Sequence, residues 1–198
     1  MRSSLTGLLS VLVILPALAQ APDGSPTRIR GTVERLDRPA LIVRTRSGQS
    51  VPVTMVTDFA VSGVVKRSLS DIKAGDYTAS TSVRGPDGKL QALEVHFLPP
   101  SANEGQFAWD LIPDSVMTNA TVARVAAAPQ GQVLKVTFMG QEADITVPPD
   151  VSVVAFVPGD MSLVKPGAAI FIFGRRHADG SVSAIRATLE KDGVKPPM

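Results

Sequence analysis

The chain has 198 residues and no cysteine, with only two histidines, one tryptophan and one tyrosine. Without cysteine there is no disulfide framework, no thiolate metal site and no lipid-attachment box. His96 and His177 alone offer little to activate a nucleophile, and no Gly-x-Ser-x-Gly elbow is written anywhere. Asp58 and Asp150 both precede a loop, where aspartate is an ordinary turn former. The pattern reads as non-enzymatic and calls for no cofactor. Only 19% of residues are charged, for a formal net charge of +2, so neither sign dominates. Residues 27–98 carry eleven Lys/Arg against seven Asp/Glu, and residues 99–198 carry eight against ten. That excess fits solvated strand faces better than an electrostatic footprint for an anionic polymer. After residue 19 no run is apolar enough to span a bilayer.

What the first nineteen residues do contain is an export signal. Arg2 supplies a positive start, LTGLLSVLVILPALA an apolar stretch interrupted by Pro16, and Ala17-Leu18-Ala19 a small-x-small cleavage site. Cleavage after Ala19 leaves a mature protein expected in a bacterial periplasm, with residues 20–26 as a disordered lead.

The mature chain repeats itself. Residues 41–95 laid on 133–187, a shift of 92, share fourteen identities without a gap. Thr45/Thr137, Gly48/Gly140, Lys73/Lys165, Gly75/Gly167, Asp87/Asp179 and Gly88/Gly180 are among them. A repeat of this length reads as a duplicated domain. Each copy gives three short β-branched segments, a loop, one helical turn stopped at Lys-x-Gly, and two strands joined by an Asp-Gly turn. Ser68 and Asp71 suit the two ends of a capped turn, and Gly75 the left-handed residue that ends it. This is the element order of an OB-type barrel. The expected fold is therefore all-β: two tandem five-stranded OB-like barrels over 27–98 and 118–190, each with a short helical turn between its third and fourth strands. An ordered linker, 99–117, joins them, and 191–198 form a tail.

The linker carries Phe107, Trp109, Leu111 and Ile112, which a free spacer does not need. It is expected to pack between the barrels, making Phe107 and Trp109 candidates to line a ligand groove. Arg44 and Arg46 share a strand face and are further ligand-groove candidates, although that face fits solubility, edge protection or an acidic protein partner better than a nucleic-acid contact. No aromatic residue is interleaved with them, so single-strand binding, which uses stacking platforms, is the weaker alternative. The metal candidates are His96, His177, Met117 and Met161; thioethers suit Cu(I), but no ligand spacing is written in the sequence. Copy two is more apolar than copy one in its fourth strand, so Phe171 or Phe173 is expected to be more buried than Ala79 and Thr81, their equivalents.

The runs ALEVHF, WDLIPDSVMTNATV, ITVPPDVSVVAFVPGDMSLVKPGA and KDGVKPPM resemble a group of exported bacterial proteins with tandem β-barrel domains of unknown function. The resemblance covers essentially the whole mature chain. It implies the fold and the compartment but brings no functional residues to carry across. Members often bear the label "metal ABC transporter permease". A permease needs several spans, so for this chain the label could mean only a soluble accessory to metal uptake. The reading with most support is a periplasmic binding module holding a protein, a glycan or a small ligand.

Overall fold

The computed structural model describes residues 24–99 and 102–197, so the expected export signal and cleavage site lie outside the described residues. The described chain is all-β and includes a closed five-stranded barrel. In chain order the strands are β1 Ser25–Asp37, β2 Ala40–Thr45, β3 Ser50–Lys66, β4 Tyr77–Arg84, β5 Leu90–Phe97 and β6 Gly105–Ala108. They continue as β7 Val116–Ala128, β8 Gly131–Phe138, β9 Gln141–Val147, β10 Ser152–Pro158, β11 Ala169–Arg176 and β12 Val182–Leu189. β1 starts inside the segment expected to be disordered, because Ser25 and Pro26 pair with Arg176 and Arg175.

The expectation that each repeat closes on itself is not met. The meander β1–β2–β3 is closed by β11 and β12, the hairpin of the other repeat, through β1–β11 antiparallel and β3–β12 parallel pairing. Reciprocally β7, β8 and β9 take the hairpin β4–β5, through β4–β7 antiparallel and a short β5–β9 parallel contact. The shift of 92 carries one closure onto the other. Val53↔Val182 becomes Ile145↔Leu90, and Gly63↔Leu189 becomes Ala155↔Phe97. Even the bulges correspond, at Thr81/Ser82 and Phe173/Gly174; such bulges bend and twist a strand, as a small barrel requires.

The crossing is made where the sequence suggested loops. FAVSGVVK and SVVAFVP are rich in β-branched and aromatic residues, which fit an extended, pleated backbone. β3 therefore runs on to Lys66, and its last turn of chain pairs antiparallel with β10, from Ser62↔Pro158 to Lys66↔Val154. Pro148 and Pro149 break the equivalent path between β9 and β10.

The Lys-x-Gly stop serves the exchange in both directions. Ser68 and Asp71 form a capping box around the 3-10 turn Leu69–Asp71, and Asp160 caps the turn Met161–Leu163. After each turn a glycine at positive φ lays its N–H against the other repeat. Gly75 (φ +92°) donates to the Val122 carbonyl at 2.8 Å, and Gly167 (φ +85°) to that of Val33 at 2.8 Å.

The cores are consequently mixed. Ile29, Leu41 and Val53 pack with Ile170, Ile172 and Leu189; Leu90 and Val95 pack with Val122, Leu134 and Ile145. Each such fully buried aliphatic side chain contributes about 1.5–3 kcal/mol of transfer free energy. The tail is anchored, since Lys191 and Val194 form a bridge and Pro196 is buried.

Candidate functional site

A third apolar cluster lies between the two mixed cores: Ala79, Trp109, Met117 and Phe171. The segment after β5 places Trp109 there. β6 adds itself to β7, so Phe107 stands opposite Met117, and the Trp109 N–H bonds to the Ser115 carbonyl at 2.8 Å. Trp109 then packs on the first meander. Its ring lies 6.4 Å from that of Phe171, and the Arg28 guanidinium sits 4.0 Å above it. Asp110 completes the clasp, 2.8 Å from Arg30 and 3.6 Å from Arg28. Burial alone would raise the Asp110 pKa; the hydrogen bond and charge of Arg30, then the charge of Arg28, outweigh it and hold the carboxyl below its usual range.

Beside this clasp is a cavity of about 650 Å³, well within the size of small-molecule sites. Its apolar walls are Ala79, Leu98, Met117, Phe156, Phe173 and the ring of Trp109. Its polar groups come from every side: Arg28 from β1, Ser62 from β3, His96 from β5, Asn119 from β7, and Arg186 and Thr188 from β12. The cavity exists because the closing hairpins are exchanged, since β5 and β12 would otherwise each face their own repeat.

The floor contains an acid–base pair. Glu94 and His96, two apart on β5, project to the same face and are each 1% exposed. His96 Nε2 lies 3.3 Å from Glu94 Oε1, near enough for an ion pair but without hydrogen-bond alignment. Thr81 donates its hydroxyl to the same carboxylate oxygen at 2.5 Å, and that hydroxyl lies 3.8 Å from Met117 Sδ. Burial would raise the pKa of Glu94, but the charge of His96, the Thr81 hydrogen bond and the charge of Arg30 together hold it below the ordinary carboxylate value.

Three of the lining residues have a buried polar atom with no protein hydrogen-bond partner: His96 Nε2, Trp109 Nε1 and Asn119 Oδ1. Arg186 adds a charge. Its guanidinium stacks 4.1 Å above the Phe173 ring and makes no carboxylate ion pair among the described residues. Burial pushes its pKa down from the ordinary arginine value.

No protein-family model, curated protein or solved structure matches this chain.

Of the residues singled out in the sequence, the structure gathers four around the cavity: Phe107, Trp109, His96 and Met117. The others lie apart from it. Arg44, on β2, is 3.4 Å from Glu34, and Arg46, just beyond that strand, donates its backbone N–H to the Arg30 carbonyl. His177 is at the β11–β12 turn, its Nε2 2.9 Å from Ser183 Oγ, and Met161 packs on the core of the first meander. Among the described residues no three His, Asp or Glu side chains cluster as a metal would need, and no helix is long and apolar enough to cross a membrane. Phe171 is fully buried beside Trp109 while Phe173 is only partly buried, whereas Ala79 and Thr81 are both buried.

Sequence reasoning missed Glu94, Asn119 and Arg186. Glu94 left a readable trace, since a glutamate two before a histidine in the strand ALEVHF shares its face. Arg186 occupies the position equivalent to Glu94 in the second repeat, so the duplication placed opposite charges at related sites.

Proposed function

We propose that this chain is an exported, non-enzymatic binding module of two OB-like barrels, and that it holds a small ligand in the cavity between them. The observation that carries the reading is the pair of buried, unpartnered polar atoms, Trp109 Nε1 and Asn119 Oδ1, that lie at that cavity among the described residues. Buried polar groups are almost always satisfied, and leaving one unpaired costs about 1–3 kcal/mol. A fold that carries two such groups at one apolar-walled cavity is organised for something that supplies their partners. The signal-like N-terminus supports a periplasmic setting.

A second reading, a periplasmic accessory to metal uptake, draws support from His96, Glu94 and Met117, which converge around Thr81. It has less behind it, because the Thr81 hydroxyl itself contacts both the carboxylate and the thioether.

Native mass spectrometry of untagged protein released from the periplasm separates these readings. The proposal expects a small-molecule mass excess, lost on denaturation and absent from Ala79→Phe, which fills the cavity with the ring that position 171 already carries. A metal-ion excess abolished by His96→Ala would favour the second reading. A bare chain mass, or an adduct unchanged in Ala79→Phe, contradicts the cavity reading.

A further inference from the structure

Resting on that reading, we infer that the cavity ligand is an organic anion, with an apolar body against Phe156, Phe173 and Trp109 and one oxyanion head on the Arg186 guanidinium.

The charge in the cavity wall is one-sided. Arg28 and Arg186 line it, and no aspartate or glutamate does. Arg28 is already clasped by Asp110 at 3.6 Å, so its charge is partly met within the protein. Among the described residues Arg186 has only the face of Phe173. Arg186 is exposed while lining the cavity, and a guanidinium in that position is favoured by an oxyanion with which its planar fork can make two parallel hydrogen bonds. The carboxylate of Glu94 does not fill this role, because it lies behind His96 and is engaged by Thr81 and His96.

The remaining donors point the same way. Trp109 Nε1 is a donor only and is unpartnered, and Thr188 Oγ1 lies 3.0 Å from Ser62 Oγ at the same wall. A cation would meet the like charges of Arg28 and Arg186 with repulsion. A neutral apolar ligand would gain nothing from the guanidinium of Arg186, whereas an oxyanion gains a charge-assisted pair of hydrogen bonds. The rings of Trp109 and Phe156, with Leu98 and Met117, supply the surface for the apolar body.

The experiment is a fluorescence titration with two dyes of nearly the same shape: 8-anilino-1-naphthalenesulfonate, an anion, and N-phenyl-1-naphthylamine, its neutral counterpart. The expected result is that the anionic dye binds the mature protein at least about tenfold more tightly. Arg186→Gln should erase that preference by weakening the anion about tenfold while leaving the neutral dye unchanged, and Arg186→Lys, which keeps the charge but not the planar fork, should keep only part of it. If the neutral dye binds as well as the anion, or Arg186→Gln leaves the anion unaffected, the anion inference is wrong. The cavity reading then survives provided Ala79→Phe excludes both dyes. If neither dye binds, or if Ala79→Phe excludes neither, both fall together.

Discussion

Val64 on β3 pairs with Phe156 on β10, and the shift that superposes the two repeats carries one of these residues onto the other. The flanking pairs behave likewise, since Gly63↔Val157 maps onto Val65↔Ala155. A local two-fold axis therefore passes through this pair. The molecule has the geometry of a hairpin-exchanged dimer whose protomers are fused in one chain. Phe156 of this pair lines the cavity, where equivalent positions carry different side chains. Glu94 faces Arg186 by equivalence, Ala79 answers Phe171, and His96 answers Thr188. An arrangement symmetric in its backbone and asymmetric in its side chains yields one site instead of two.

The exchange is testable by cysteine cross-linking, because the chain has no cysteine of its own. Ser25 pairs directly with Arg176 across β1 and β11, and both are exposed. Facing antiparallel residues have the Cα separation a disulfide requires. Ser25→Cys with Arg176→Cys should close a disulfide within the monomer under mild oxidation, seen as a mobility shift on a non-reducing gel. Ser25→Cys with Arg84→Cys, the pair that self-closure would bring together, should not. The reverse pattern would mean that each repeat closes its own barrel.

The linker clasp should depend on the indole more than on the ion pairs. Trp109→Ala removes a buried aromatic side chain and is expected to cost about 3–5 kcal/mol. Asp110→Asn removes two ion pairs from a carboxylate that is 49% exposed, where water screens them, and should cost about 0.5–1 kcal/mol. Urea unfolding of the two variants checks the order. A larger loss from Asp110→Asn would make the clasp electrostatic.

The Glu94–His96 pair predicts a particular acid limb. The Glu94 pKa is lower in the folded protein than its ordinary value of 4.5. Its contribution to stability is therefore fully present above pH 4.5 and is lost as pH falls through the lower, folded value. Melting temperatures between about pH 6 and pH 3 should fall less steeply for Glu94→Gln than for wild type. His96→Ala, which leaves the buried carboxylate without the polar side chain nearest to it, should cost about 1–3 kcal/mol at neutral pH. An acid limb unchanged by Glu94→Gln would show that this carboxylate is not held charged by its surroundings.

The sequence revealed most where the determinants are local. The repeat shows in the turns, since Gly48/Gly140, Gly75/Gly167 and the two Asp-Gly pairs are placed by backbone angles that glycine adopts freely. Phe107 and Trp109 were legible as cavity residues because apolar side chains in a linker require something to pack against. The exchange was not legible. Gly75 must lie against a valine at the start of a meander, and Val33 and Val122 are equivalent, so self-closure and exchange satisfy the same residue pattern. Only the β-branched runs 59–66 and 152–158 carried a sign of it, by favouring straight strands over the loops that self-closure needs. Arg186 was hidden for a related reason, since it is an exposed strand arginine that borders the cavity only because of where its strand is placed.

The most direct test of the cavity as the binding site uses the single tryptophan as the reporter, because Trp109 forms part of its wall. Excited at the indole, the mature protein is titrated with 8-anilino-1-naphthalenesulfonate. The account predicts one saturable phase in which Trp109 emission is quenched as dye emission rises, with both changes lost together in Ala79→Phe. Dye emission that rises while Trp109 is unquenched, or that persists in Ala79→Phe, would put the ligand elsewhere on the molecule and contradict the account.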